Sequence, residues 1–136
     1  MPPLDGPRNT RHWYSRDNPV YPVAAGAVIH PGALVVLRGG YLEPGSEAAG
    51  LIAAGRAQQA ADNSAGADGD LQVEVRRGVA LWENSAGADE ITQADVGSDC
   101  YIVDDQTVAK TDGTGTRSVA GRIMAVDTEG VWVETF

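Results

Sequence analysis

"GDLQVEVRRGVALWE", residues 69–83, alternates apolar and polar side chains and is interrupted once, at Arg77-Gly78. A period of two is the signature of a strand with one buried face. It predicts that Leu71, Val73, Val75, Val79 and Leu81 share that face, with Arg77 the only intruder. Two backbones fit the stretch. One is a single long strand bent at Gly78. The other is a hairpin closed by Arg76-Arg77-Gly78, which opposes Val75 to Val79 and Val73 to Leu81 and puts glycine where a three-residue loop favours it. The residues leave both open.

On either side of this stretch stands the same hexapeptide, "NSAGAD", at 63–68 and at 84–89. The sequences around the two copies do not align, so the repeat is local and no domain is duplicated. A calcium loop is a poor fit. Counted from Asp62, the sixth position is Ala67 where an EF-hand needs glycine, and the twelfth is Val73 where it needs glutamate. Turn chemistry explains both copies. Asn and Ser bond nearby backbone, Gly takes positive φ, and Asp accepts again.

Further out the pattern repeats: short strands between glycine turns. "ALVVLRGGYLEPG" predicts a hairpin turning at Gly39-Gly40. "RSVAGRIMAVDTEGVWVET" predicts another, turning at Asp127–Gly130. "DCYIVDDQTVAK" adds strand, and "GRAQQAADNS" adds it more weakly. "EAAGLIAAGRAQQAA" has helical composition, but Gly50 and Gly55 interrupt it at about 1 kcal/mol each. "TQADVG" suits one helical turn capped by Thr92. The expected fold is mainly β: a small single-domain β-barrel or sandwich-like body over 23–136, with helix limited to a turn or two.

Residues 1–22 differ in kind. They hold five of the seven prolines together with Trp13, Tyr14 and Tyr21. Proline withholds backbone donors and resists helix, so this reads as an extended arm without a pattern of its own, whose aromatics bury either by folding back on the arm's own domain or by docking on another chain. The arm carries Arg8, Arg11 and Arg16 against Asp5 and Asp17. The rest of the chain has seven basic and seventeen acidic residues, within a net charge of −9. Such a body does not present the basic face that nucleic acid needs. No stretch is apolar enough for a membrane span, and the start lacks the apolar run of a secretory signal.

Groups for chemistry are sparse. Cys100, the single cysteine, sits in the apolar "CYIV" and reads as a buried thiol. His12 lies in the arm and His30 in the turn "IHPGA". Neither forms a recognisable triad pattern with Cys100 or a serine. One cysteine and two separated histidines do not make a structural zinc site. "GTGTRS" lacks the spacing and lysine of a phosphate loop. Asp104-Asp105 is the densest carboxylate pair, but neighbours in a strand face opposite ways, and "VDDQT" reads as a turn. No cofactor, no metal and no enzymatic activity are expected.

Three stretches together carry a family resemblance. They are "AGAVIHPGALVVLRGGYLEPG", "GDLQVEVRRGVALWE" and the closing "ITQADVGSDCYIVDDQTVAKTDGTGTRSVAGRIMAVDTEGVWVETF". In order and character they resemble the capsid cement, or head-decoration, proteins of tailed bacteriophages. The resemblance covers about 110 residues and rests on small residues and β patterning. It implies a compact β domain without catalysis. It also implies a homotrimer on the outer face of the head, assembled in the host cytoplasm, that clamps neighbouring major capsid protein subunits. The arm would then supply the partner contacts through Arg8, Arg11, His12, Trp13, Tyr14, Arg16 and Tyr21, since aromatics and arginines dominate interfaces and the body shows no apolar patch in its sequence. Competing readings are a carbohydrate- or ligand-binding β module with Trp13, Trp82 and Trp132 as stacking platforms, a small β-barrel enzyme using His30, Asp104 or Asp105, and another virion part such as a tail or connector protein.

Overall fold

The computed structural model describes Pro3, residues 5–9 and residues 18–135. Among these the chain is mainly β. In order the strands are β1 (Val20–Pro22), β2 (Val28–Ile29), β3 (Leu34–Arg38), β4 (Tyr41–Pro44), β5 (Ile52–Ala57), β6 (Ala61–Asp62), β7 (Gln72–Arg76), β8 (Gly78–Asn84), β9 (Asp99–Ile102), β10 (Thr107–Ala109), β11 (Val119–Asp127) and β12 (Gly130–Thr135). Five form an open sheet in the order β1-β7-β5-β3-β4. Five close a small barrel in the order β10-β8-β12-β11-β9. β2 and β6 pair separately. Helix is confined to two 3-10 turns, Gly87–Asp89 and Gln93–Asp95. The second follows Thr92 as the sequence suggests, with the Thr92 N–H donating to the Asp95 carboxylate at 2.8 Å.

β3 explains how sheet and barrel fit together. Its "LVVL" run does not alternate, because both of its faces are covered. Leu34 and Val36 join Trp82, Ile91, Ile102, Ile123, Val131 and Val133 in the barrel core. Val35 points the other way, into a second core with Val23, Ile29, Leu42, Ala54, Val73 and Val75. Leu34, Val35 and Val36 are all fully buried. The β3–β4 hairpin turns at Gly39-Gly40 as expected, with Arg38 opposite Tyr41. Both glycines have positive φ, 59° and 87°, as a two-residue hairpin turn requires. The β11–β12 hairpin also turns where expected, pairing Asp127 with Gly130.

The stretch 69–83 is not a hairpin. β7 pairs with β1 and β5, whereas β8 pairs with β12 and β10. The chain crosses from sheet to barrel at Arg77, and Gly78 takes φ +104°. That glycine changes which side chains point inward. Val73 and Val75 are buried as expected, but Leu71, just before β7, is 38% exposed, and after Gly78 the inward positions are Ala80 and Trp82. Val79 is 50% exposed and Leu81 36%. The single apolar face expected over 71–81 is therefore two faces, joined at a glycine and directed oppositely.

β5 begins at Ile52, inside the segment of helical composition. Gly55 lets this strand approach β7: a Cβ there would lie 2.5 Å from the Arg76 carbonyl oxygen. At the other edge, β1 takes the last three residues assigned to the arm into the sheet. Val20, Tyr21 and Pro22 pair with Glu74, Val73 and Gln72. Pro19 is buried and accepts a hydrogen bond from the Val75 N–H at 2.8 Å.

The two "NSAGAD" copies are both turns, built differently. Asn63 is 2% exposed, and its Nδ2 donates to the carbonyls of Val23, Ala24 and Ala67. Asn84 instead makes a paired contact with Ile91, accepting from its N–H and donating to its carbonyl, each at 2.9 Å. Gly87 has φ +68° and opens a 3-10 turn, whereas Gly66 is not in the left-handed region. No group of three or more metal-ligating side chains occurs among the described residues.

Candidate functional site

Of the side chains expected to contact a partner, Arg11, His12, Trp13, Tyr14 and Arg16 lie outside the described residues. Arg8 is exposed. Tyr21 is half-buried on β1, packs against the second core, and its hydroxyl accepts from Arg77 Nη2 at 2.9 Å. It fixes the root of the arm to the junction between sheet and barrel.

The body itself presents apolar surface that its sequence conceals. Across three adjacent barrel strands Leu81, Trp132 and Ala125 stand in register. They point outward, since Val131 and Val133 on either side of Trp132 are buried. Val79 lies beside this row, and Met124 is also exposed. Trp132 is held along the hairpin by Asp127, whose Oδ2 accepts from the indole Nε1 at 3.0 Å. That bond, with the N–H groups of Glu129 and Gly130, holds the Asp127 carboxyl below its ordinary value of 3.8. A second apolar depression, of about 230 Å³, lies elsewhere between Leu51–Ala53 and Val119–Gly121. Ile52 is 64% exposed at its rim. The expectation that the body lacks an apolar patch is thus corrected. The physical reason is Gly78, which turns Val79 and Leu81 out of the core.

A third feature is a groove of about 540 Å³ along β8, lined by Arg56, Gln58, Arg76, Val79, Leu81 and Trp82, among others. Arg56 and Arg76 are directly opposed partners on β5 and β7. Like charges so placed repel. Arg56 donates to the neutral Gln58 side chain at 2.6 Å. Neither arginine has an ion pair among the described residues. The same junction holds two buried donors without acceptors among the described residues, Arg77 Nε and Trp82 Nε1. By contrast Arg117 is well partnered, reaching Glu47 at 2.6 Å and Asp89 at 3.2 Å.

Groups suited to chemistry are only partly brought together. His30 and Asp105 line one shallow pocket of about 240 Å³ with Gln106. No serine or cysteine lines it. Asp104 accepts from the Gln106 N–H and closes the β9–β10 turn, as the sequence suggests. Cys100 is fully buried, and burial pushes its thiol up to about 12, which leaves it a protonated core residue. Trp82 is 5% exposed and belongs to the barrel core, so it offers no stacking platform. Sequence reasoning missed Arg56, Arg76, Val79 and Leu81. The signal for the last two was Gly78. The arginines gave none, because their opposition depends on strands 20 residues apart in register.

No helix among the described residues is long and apolar enough to cross a membrane. Comparison of the chain with family models, curated proteins and solved structures returned no match.

Proposed function

We propose that this protein is a structural component of a phage head, a cement protein that binds the outer surface of the shell and stabilises it by clamping neighbouring major capsid subunits. The observation that carries the reading is the pair of separate apolar patches on a small β body, one around Leu81 and Trp132 and the other around Ile52 and Val119. Exposed apolar groups clustered this way are commonly buried by partner proteins. Two unlike patches suit a ring, in which one face of each subunit meets a different face of the next. A homotrimer placed where capsomers meet is consistent with this. The arm, rooted at Pro19 and β1, would extend from a rigid mount onto the shell and bring Arg8, Arg11, His12, Trp13, Tyr14 and Arg16 to it.

The test is deletion of residues 2–17, which spares Pro19 and β1. The truncated protein is expected to melt within about 2 °C of the parent, well under the shift that 1 kcal/mol produces. It is also expected to lose co-sedimentation with shells assembled without the protein. Parental affinity after the deletion would show that the arm is not the anchor. If the full chain also failed to sediment with such shells, the cement reading itself would fall. Light scattering of the intact chain checks the trimer.

A further inference from the structure

β8 has one satisfied edge and one open edge. On the satisfied side Gly78–Trp82 pair with Val131–Thr135 of β12 without a register shift. Backbone groups on a strand alternate in direction, so one bond fixes the rest. The Glu83 N–H donates to the Gln106 carbonyl at 2.7 Å, toward β10 and away from β12. Two and four residues earlier, Leu81 and Val79 must direct their N–H and C=O the same way. β10 does not reach them, because its pairing with β8 covers only Glu83 and Asn84. The backbone groups of Val79 and Leu81 therefore face the groove of about 540 Å³, between their own exposed side chains and the Arg56–Arg76 pair.

We propose that this edge binds an extended acidic segment of a partner polypeptide, which adds a strand against Val79 and Leu81 and sets a carboxylate on Arg56 and Arg76. Strand addition draws on main-chain bonds for affinity and on side-chain pockets for choice of partner. Here the choice is electrostatic. In a chain of net charge −9, two arginines are held opposite each other without a counter-ion among the described residues. A carboxylate between them converts mutual repulsion into two charge-assisted hydrogen bonds. The chain's own arm is the wrong occupant, since its residues 1–22 have more arginines than carboxylates. The inference stands apart from the shell reading, as any assembly offering such a segment would satisfy it.

The experiment selects binders to the full chain from an unbiased seven-residue peptide library. Recovered peptides are expected to be acidic and to alternate. Arg56→Glu and Arg76→Glu should each weaken them at least tenfold. Amide exchange at Val79 and Leu81 should slow at least tenfold when peptide is bound. Leu81→Pro removes a donor from the open edge and none from the β12 ladder, so it should abolish binding while leaving the melting point near the parent's. If Leu81→Pro fails to fold, the charge reversals and the exchange data decide alone. Failure to enrich any peptide, or recovery of basic peptides, would overturn the proposal. So would indifference to both charge reversals, or protection at another edge. If the free protein self-associates and protects the same two amides, the edge belongs to a second copy and the acidic partner is excluded.

Discussion

The asparagine that opens each "NSAGAD" shows how one residue type serves two local structures. Asn63 supplies donors to three carbonyls and has almost no contact with water. Asn63→Ala removes a second donor from three carbonyls that each keep one backbone N–H, from Gly69, Ala27 and Asp70, and net hydrogen bonds of this kind are worth about 0.5–1.5 kcal/mol each. A loss of about 1–2 kcal/mol is expected in chemical denaturation, since no carbonyl is left without a donor. Asn84 makes two bonds to the backbone of Ile91, which is 1% exposed, so Asn84→Ala leaves a buried N–H and C=O without that partner and should cost about 2–3 kcal/mol. Equal losses would contradict the different roles assigned to the two copies. The hexapeptide's turn character was legible because it is local chemistry. Its two conformations were not, because they depend on the distant carbonyls of Val23 and Ala24 in one case and on Ile91 in the other.

Among the elements, strands and their turns were legible where punctuation was strong, as at Gly39-Gly40 and Asp127–Gly130. The direction of side chains after Gly78 was not, since alternation shows that a face exists without showing where it turns. The candidate surface shared that fate: its apolar row assembles from β8, β12 and β11, and no short window contains it. Gly55 tests the close approach of β5 to β7. Gly55→Ala puts a methyl against the Arg76 carbonyl at φ +137°, and overpacking of this kind costs about 1–3 kcal/mol, with backbone strain in addition. A drop of at least 2 kcal/mol by urea titration is the expected outcome, on the order of that range. The β11–β12 hairpin carries a pH response. The folded Asp127 carboxyl is held below its ordinary value, chiefly by Trp132 and then by the Glu129 N–H. Its contribution is complete above the unfolded pKa and is lost as pH falls through the lower folded one. Indole emission should change in acid with a midpoint below 3.8, and Asp127→Asn should remove that transition. A midpoint at or above the ordinary value would show that the Trp132 bond does not hold in solution.

For the molecule as a whole, β3 has a consequence for how the protein comes apart. Leu34 and Val36 complete the barrel core, and Val35 completes the other core. A strand shared in this way acts as a single thermodynamic hinge-pin: melting either half strips one face of β3 and exposes residues the other half depends on. Partial opening, which most proteins allow in separable units, is therefore suppressed here. Amides of β3 should exchange only through global unfolding, with the free energy measured by denaturant, and a β3 exchange free energy well below that value would show that the halves open separately. A chain that opens all at once offers proteases few intermediate footholds between fully folded and fully unfolded, so its survival depends on one free energy. The two cores then age, melt and are degraded as one object.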